Sequence, residues 1–309
     1  MTGNLSHRDE LQVLGQRVIF GTSERMEELP SKLASLIVTS PPYWNLKDYK
    51  HKDQVGLEDT YEDYLKRMNT VWNECYRISN DNAILAINVR SIRVNKTYLP
   101  IAMDVYKNMS EWKLIDHLIW YIPNALPNAN YYIERIFDNK YEDVLIFAKN
   151  YNYEHTFNKI RIKQKYLDKD PRSEKYNKDG RDIGNIFRIP AYRPPNVKKL
   201  NYHQAAFPEE LVHIIIHTYS NRRDIIIDPF LGSGTTLKVA RILGRTGIGY
   251  EINDDLKPLI EKKITEEWSP EAFSKYDLIS SSEQKSKPKR RRKKIRSDST
   301  GVKNKLSVK

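Results

Sequence analysis

Thr39-Ser40-Pro41-Pro42-Tyr43-Trp44 crowds two aliphatic hydroxyls, two proline carbonyls and two aromatic rings into six residues. They follow an apolar run, Leu33 to Val38, that reads as a buried strand. Proline cannot continue a strand's hydrogen-bond ladder, so the chain must leave the sheet at Pro41. The carbonyls are then unpaired at a strand's carboxyl end, where open α/β sheets place ligands. Tyr43 offers a flat face on which a planar ring can stack. Taken alone, the same residues also read as a strand end with turn prolines and a packed tyrosine.

A second constellation lies near the other end of the chain. The β-branched run Ile225 to Ile227 leads into Asp228-Pro229-Phe230-Leu231-Gly232-Ser233-Gly234-Thr235, and Thr235 to Leu243 reads as a helix. Strand, Gly-x-Gly turn and helix let a ligand approach bare backbone beside a helix amino end. The next strand, Thr246 to Ile252, carries Glu251 at its end, 17 residues after Gly234 and well placed to accept from ribose hydroxyls. Neither the third glycine of a dinucleotide loop nor the lysine of a phosphate-cradling loop is present. An adenosine cofactor without a phosphate chain, S-adenosyl-L-methionine, therefore fits better than NAD or ATP.

These two loops need a scaffold of alternating strands and helices. Arg17 to Phe20, Leu36 to Thr39, Ala83 to Val89, Leu114 to Tyr121 and Val144 to Ala148 read as strands. A helical turn is expected around Ser23 to Leu33, and helices over Tyr61 to Ile78, Pro100 to Met109 and Phe207 to Tyr219. Tyr61, Tyr64, Leu65, Met68, Val71, Trp72, Cys75 and Tyr76 have the spacing of one apolar helix face. The alternation argues for an α/β fold with a doubly wound, mostly parallel sheet. Residues 15–150 read as its catalytic half and 202–275 as its cofactor-binding half. Between them, 151–201 lacks apolar periodicity and reads as an irregular recognition insertion. Residues 276–309 read as a disordered basic tail.

Charge follows the same division. Glu283 to Lys309 holds 12 Lys/Arg against 2 Asp/Glu, and His155 to Leu200 holds 13 against 5. The whole chain is +12, so the remainder is mildly acidic. Two basic segments on an acidic body point to a polyanionic partner, with a merely solvated surface as the plainer alternative. No apolar stretch approaches the ~18 residues of a membrane span, and Met1 to Glu10 lacks an apolar export core. Cys75 is the sole cysteine, which excludes internal disulfides and argues against a cysteine metal site. His203 has no ligand cluster near it in sequence, so no metal is expected.

With both constellations in this order, the chain resembles the DNA amino-methyltransferases of the β arrangement. In that group a Ser/Asp-Pro-Pro-Tyr element precedes the recognition region and the cofactor glycine loop comes last. The resemblance runs from about Arg17 to Lys263. It rests on Thr39 to Trp44 and Asp228 to Thr236, then on Gly244-Arg245, Gly249 to Asn253 and His203 to Leu211. Trp120, Asn124, Pro127, Arg135 and Tyr141-Glu142 fall where the family has similar residues. The fold it implies is the Rossmann-like fold of S-adenosylmethionine-dependent methyltransferases. Three features depart from the pattern: Thr22 replaces an Asp that commonly touches adenine, Ile122 replaces a frequent Lys, and the basic tail is extra.

The resemblance implies transfer of a methyl group from S-adenosyl-L-methionine to an exocyclic amine in double-stranded DNA. Such an amine is a weak nucleophile because its lone pair is delocalised into the ring. Acceptors for the amino hydrogens let the nitrogen rehybridise, and the Pro41 carbonyl and Ser40 hydroxyl are placed to act so. Ser40 can either accept from the amine or donate to a ring nitrogen. Tyr43, beside Pro42, would stack on a base flipped from the duplex, and Trp44 either extends that wall or packs in the core. Phe207, Asp228, Pro229, Phe230, Gly232, Ser233, Gly234, Thr235, Glu251 and Asn253 are the expected cofactor contacts. Methylation at cytosine ring carbon 5 needs a cysteine nucleophile, and Cys75 sits on the apolar helix face.

Ser40 at the first motif position favours cytosine, because family members with Asp or Asn there tend to act on adenine. Adenine remains the alternative base, a non-catalytic DNA-binding relative is the rival from another class, and RNA is a third substrate. A cognate restriction endonuclease is the partner the resemblance suggests. The expected location is the cytoplasm of a prokaryote, or the nucleus if the host is a eukaryote, where Lys287 to Lys294 could serve as an import signal.

Overall fold

Leu36, Ile37, Val38, Ile84 to Ile87, Ile226 and Ile227 are buried along consecutive positions, a pattern that only a central strand covered on both faces tolerates. The computed structural model describes residues 8–127, 133, 135–150, 152, 154–162, 181–191, 208–268 and 276–278. Residues 280–309 lie wholly outside the described residues, as do Phe207 and most of 163–206.

In chain order, β1 (Glu10–Val13), β2 (Gln16–Phe20) and β3 (Ala34–Thr39) are followed by α1 (Tyr61–Ile78) and β4 (Ser79–Val89). A hairpin of β5 (Ile92–Val94) and β6 (Thr97–Leu99) precedes α2 (Ile101–Asn108), β7 (Lys113–Tyr121) and β8 (Tyr141–Ala148). Three short strands follow, β9 (Ile160–Ile162), β10 (Arg181–Asp182) and β11 (Ile186–Arg188). The remainder is α3 (Glu209–Tyr219), β12 (Ile225–Asp228), α4 (Thr235–Ile242), β13 (Thr246–Glu251), α5 (Lys257–Thr265) and β14 (Tyr276–Leu278).

Nine strands make one sheet in the order β1-β2-β13-β12-β3-β4-β8-β7-β11. From β2 to β4 every neighbouring pair is parallel, whereas β8 runs antiparallel to both β4 and β7. The sheet is thus a mixed, mostly parallel Rossmann-like layer. Helices α1 and α2 pack on one face with Ile37, Leu85, Ile87 and Phe147. Helices α3 and α4 cover the other with Leu36, Val38, Ile84 and Ile146. The neighbours β12 and β3 therefore send their following helices to opposite faces, which opens a crevice at their carboxyl ends.

Helix α1 shows why the sequence folds this way locally. Thr60 caps it, its hydroxyl accepting from the Asp63 amide at 3.2 Å, and Glu62 and Asp63 occupy the positive first turn. Its expected face is largely interior: Tyr64, Met68, Val71, Trp72 and Cys75 are buried.

Three expectations change. Ser23 to Leu33 forms turns rather than a helical turn, and Lys32 there takes a left-handed φ of +61°. The region read as irregular contains strands: β11 extends the main sheet beside β7. The segment expected to begin the disordered tail instead supplies β14, which pairs with β9 in a second sheet with β10. The strands were missed because each is only two or three residues long, too short to show alternation.

Candidate active site

The Thr39 to Tyr43 turn and the glycine loop meet at the tips of β3 and β12. One cavity of about 360 Å³ is lined by Ser40, Pro41, Pro42 and Tyr43 on one side and by Asp228, Pro229, Phe230, Gly232, Ser233 and Thr235 on the other. Glu251 and Asn253 complete the wall from β13. Gly234 stands just behind as the N-cap of α4, with a left-handed φ of +91°. Phe207 lies outside the described residues.

Asp228 joins the two motifs. Its carboxyl oxygens accept from the Thr39 hydroxyl at 2.7 Å and from the Thr236 hydroxyl at 2.6 Å, and the Phe230 amide donates to it at 3.0 Å. Burial outweighs these three donors and pushes its pKa up to about 6. Glu251 is the second buried carboxyl. It accepts from the Gly232 amide at 2.7 Å and from the Asn253 amide at 3.0 Å, yet burial pushes it up to about 7.

Gly232 has φ +55°, and a Cβ built there would meet nothing within 4 Å. Bare backbone thus faces open space beside a carboxyl able to accept from two hydroxyls. The donor and acceptor set of the glycine loop, where Asp228 to Thr235 holds no Lys or Arg, suits an adenosine with an amino-acid arm.

The Thr39 to Tyr43 turn is wired to strands far away in sequence. The Tyr43 hydroxyl donates to Glu142 Oε2 at 2.9 Å and lies 3.0 Å from Ser40 Oγ. Asn88 Nδ2 donates to Glu142 Oε2 at 2.7 Å and to the Tyr43 oxygen at 3.1 Å. Asn88 and Glu142 sit on β4 and β8, whose antiparallel pairing brings them together. Burial raises the Glu142 carboxyl above its ordinary value, opposed by Asn88, Tyr43 and Arg90. Tyr43 is pushed well above the usual phenol range by burial and by the Glu142 charge.

Trp44 takes the core alternative. Its indole N–H donates to the Asp59 carbonyl at 2.9 Å, its ring meets Tyr61 edge-on, and it is absent from the cavity lining. Thr22 does line the cavity, with its hydroxyl 3.1 Å from Glu24 Oε2. Cys75 is fully buried in α1 and burial pushes its thiol up.

Sequence reasoning missed the wall formed by Leu46 to Lys50, Gln54 and Val55. Arg67 of α1 pins that wall, donating to the Gln54 carbonyl at 3.1 Å and the Asp53 carbonyl at 3.0 Å while ion-paired to Glu24 and Asp59. Asn253 Nδ2 ties it to β13 by donating to the Tyr49 carbonyl at 3.1 Å. The one available signal was Arg67 itself, a cation at a half-buried position of α1. Among the described residues no cluster of His, Cys, Asp or Glu could hold a metal, and no helix is long and apolar enough to cross a membrane.

The chain is similar to known proteins in sequence and in fold. The sequence profile described as DNA methylase matches residues 34–262. The type II methyltransferase M.MjaI of Methanocaldococcus jannaschii is 29% identical over 287 residues, spanning 80% of this chain and 90% of that one. M.SmaI of Serratia marcescens, also a type II methyltransferase, is 27% identical over 280 residues, with the same two coverages. The solved PvuII DNA methyltransferase, described as cytosine-N4-specific, superposes with a TM-score of 0.64 at 18% identity, over 82% of this chain and 88% of its own.

Proposed function

The chain belongs to the DNA methylase family, and we propose that it transfers the methyl group of S-adenosylmethionine to the exocyclic amine of cytosine in double-stranded DNA. One observation carries the reading: Asp228 is hydrogen-bonded to Thr39 and Thr236 at once, so the Ser-Pro-Pro-Tyr turn and the glycine loop share one cavity.

Asp228 and the loop from Gly232 to Thr235 would hold the amino-acid arm of the cofactor, and Glu251 the ribose. When bound, that cofactor supplies an electrophilic methyl on a positively charged sulfur. Ser40 and the Pro41 carbonyl take the amino hydrogens, which frees the nitrogen lone pair. Tyr43 offers its ring face to the extruded base while its hydroxyl is fixed by Glu142. Alignment of amine, methyl and sulfur is expected to supply the larger share of the rate, with the acceptors for the amino hydrogens countering delocalisation of the lone pair. Cytosine is favoured by Ser40 at the first motif position. The relatives named above come from an archaeon and a bacterium, which supports a prokaryotic cytoplasmic enzyme, with a cognate endonuclease as its natural counterpart.

DNA treated with the protein and S-adenosylmethionine, digested to nucleosides and weighed by mass spectrometry, is expected to contain N4-methylcytosine. Methyladenine alone would move the target to adenine, and no methylated nucleoside would reject the enzyme. Ser40→Ala is expected to bind the cofactor in titration calorimetry while losing most turnover.

A further inference from the structure

Building on the methyl-transfer reading above, we propose that Glu142, acting through Tyr43, fixes Ser40 as a hydrogen-bond acceptor and takes up the proton that the substrate amine loses. The polarity of the network requires the first part. An ionised carboxylate can only accept, so the single Tyr43 hydroxyl hydrogen points at Glu142 Oε2, 2.9 Å away. Ser40 Oγ lies 3.0 Å from the Tyr43 oxygen, whose hydrogen is already committed, so Ser40 donates to it. Asn88 Nδ2 also lies 3.5 Å from Ser40 Oγ, a long contact that takes up at most one lone pair, so Ser40 keeps an acceptor for the cavity, which Ser40 lines and Glu142 does not. Asn88 reinforces this direction by giving its amide nitrogen to Glu142 and to Tyr43. Its own Oδ1 is buried without a partner among the described residues, so the amide has turned towards the carboxyl at the expense of its oxygen. Protonation of Glu142 removes the constraint, and Ser40 becomes free to donate.

The second part follows from charge. The amine nitrogen bonds to the methyl carbon, the carbon–sulfur bond breaks with its electron pair left on sulfur, and the nitrogen must shed one proton. That proton passes to Ser40 Oγ as Ser40 passes its own to Tyr43 and Tyr43 passes its own to Glu142. The carboxylate becomes a neutral acid and the product amine is neutral. Glu142 touches no substrate atom, so it is a positioning residue that works through Tyr43. The groups facing it are Tyr43 from the turn after β3, Asn88 and Arg90 from β4 and its end, and Asp143 beside it on β8. Burial and Asp143 favour its neutral form, and Asn88, Tyr43 and Arg90 favour the ionised one.

The test compares wild type, Glu142→Gln and Tyr43→Phe in single-turnover methyl transfer to DNA across pH, with cofactor saturating so that cofactor affinity does not shape the profile. The wild-type rate is expected to fall as pH drops through the titration of Glu142. Both variants should lose about 10²-fold in rate at neutral pH, the usual size of an acid–base contribution, and lose that acidic limb while still binding cofactor. Infrared titration of the cofactor-free protein supplies a readout independent of turnover. The carboxyl band that vanishes in Glu142→Gln should titrate where the wild-type rate limb lies. Wild-type rates in either variant, slow variants that keep the acidic limb, or a band that titrates elsewhere would overturn the proposal. If Glu142→Gln does not fold, Tyr43→Phe, with its ring and the carboxyl intact, decides alone by its rate and limb. Absence of any methyl transfer by the wild type would instead reject the enzymatic reading itself.

Discussion

The two sides of the cavity, the proposed cofactor side and the proposed catalytic side, are built by opposite strategies. On the cofactor side, Asp228 meets Thr236 and Phe230, and Glu251 meets Gly232 and Asn253, all within 19 residues of chain. On the catalytic side, Tyr43 meets Asn88 at a separation of 45 residues and Glu142 at 99. The first side is one β-α-β segment, β12 to β13, that brings its own carboxyls into place. The second exists only once β4 and β8 have paired. Each side ends in a buried carboxyl raised by desolvation, so burial of charge is common to both and only the route to it differs. Asp228 spans the divide, because its bond to Thr39 crosses 189 residues.

That bridge should break most completely. Asp228→Ala strands the buried Thr39 and Thr236 hydroxyls, each costing about 1–3 kcal/mol when unsatisfied. Denaturant unfolding is expected to show a loss of roughly 3 kcal/mol, with cofactor binding abolished in calorimetry. A variant that kept full stability would mean the two sides fold independently, and the comparison would fail at its root.

Glu251 gives the next effect, with a sign fixed by its titration. Its pKa rises from 4.5 to about 7 and that of Asp228 from 3.8 to about 6. Between these values the folded protein holds protons that the unfolded chain has released. Stability of the cofactor-free protein therefore falls as pH rises from about 4 to about 7. Glu251→Gln cannot ionise, so its thermal stability should decline less over that window. Ribose hydroxyls favour the ionised carboxyl, so cofactor affinity should rise with pH through about 7 in the wild type. In Glu251→Gln, calorimetry should show affinity roughly 10-fold lower, with the rise near pH 7 lost and only the dependence from Asp228, near pH 6, remaining.

These two carboxyls were also the easiest to read in advance. Asp228 and Glu251 each close a β-branched or apolar run beside glycines, so residue type and spacing within a short window located them. Asn88 and Glu142 carried no such mark. Asn88 sits in an apolar strand, and Glu142 lies near the start of β8 beside Asp143. The resemblance touched Tyr141-Glu142 without giving them a role, and only the antiparallel pairing of β4 with β8 shows that Glu142 meets Asn88. Trp44 shows the converse. It adjoins a legible motif, but a left-handed φ of +50° turns the chain and sends its ring to Tyr61 and away from the cavity. Local windows reveal groups that act beside their neighbours in sequence, and sheet register decides the rest.

The wall from Leu46 to Val55 lies between these cases, since its residues are contiguous while its anchor is on α1. Arg67→Ala removes the guanidinium that holds the Asp53 and Gln54 carbonyls, so the wall should loosen without loss of the fold. Cofactor affinity is expected to weaken about 5- to 10-fold, the equivalent of one net hydrogen bond, with single-turnover rate at saturation little changed. A fall in that rate with affinity intact would assign the wall to DNA rather than to the cofactor.

Cys75 should matter least, and its small effect is informative. A ring-carbon mechanism would need a thiolate attacking the base, and no other cysteine exists in the chain. Cys75 lies on the buried face of α1, packed in the core that supports the catalytic side, and desolvation holds its thiol protonated. Replacing it with alanine removes one buried sulfur, a loss of about 1 kcal/mol in stability. Methyl transfer by Cys75→Ala should stay within about twofold of wild type, because the proposed amine route through Ser40 and Tyr43 uses no thiol. A variant that folds and binds cofactor but transfers nothing would move the chemistry from the exocyclic amine to the ring. In that event the catalytic side, assembled over long range, would owe its function to a core helix rather than to the pairing of β4 with β8.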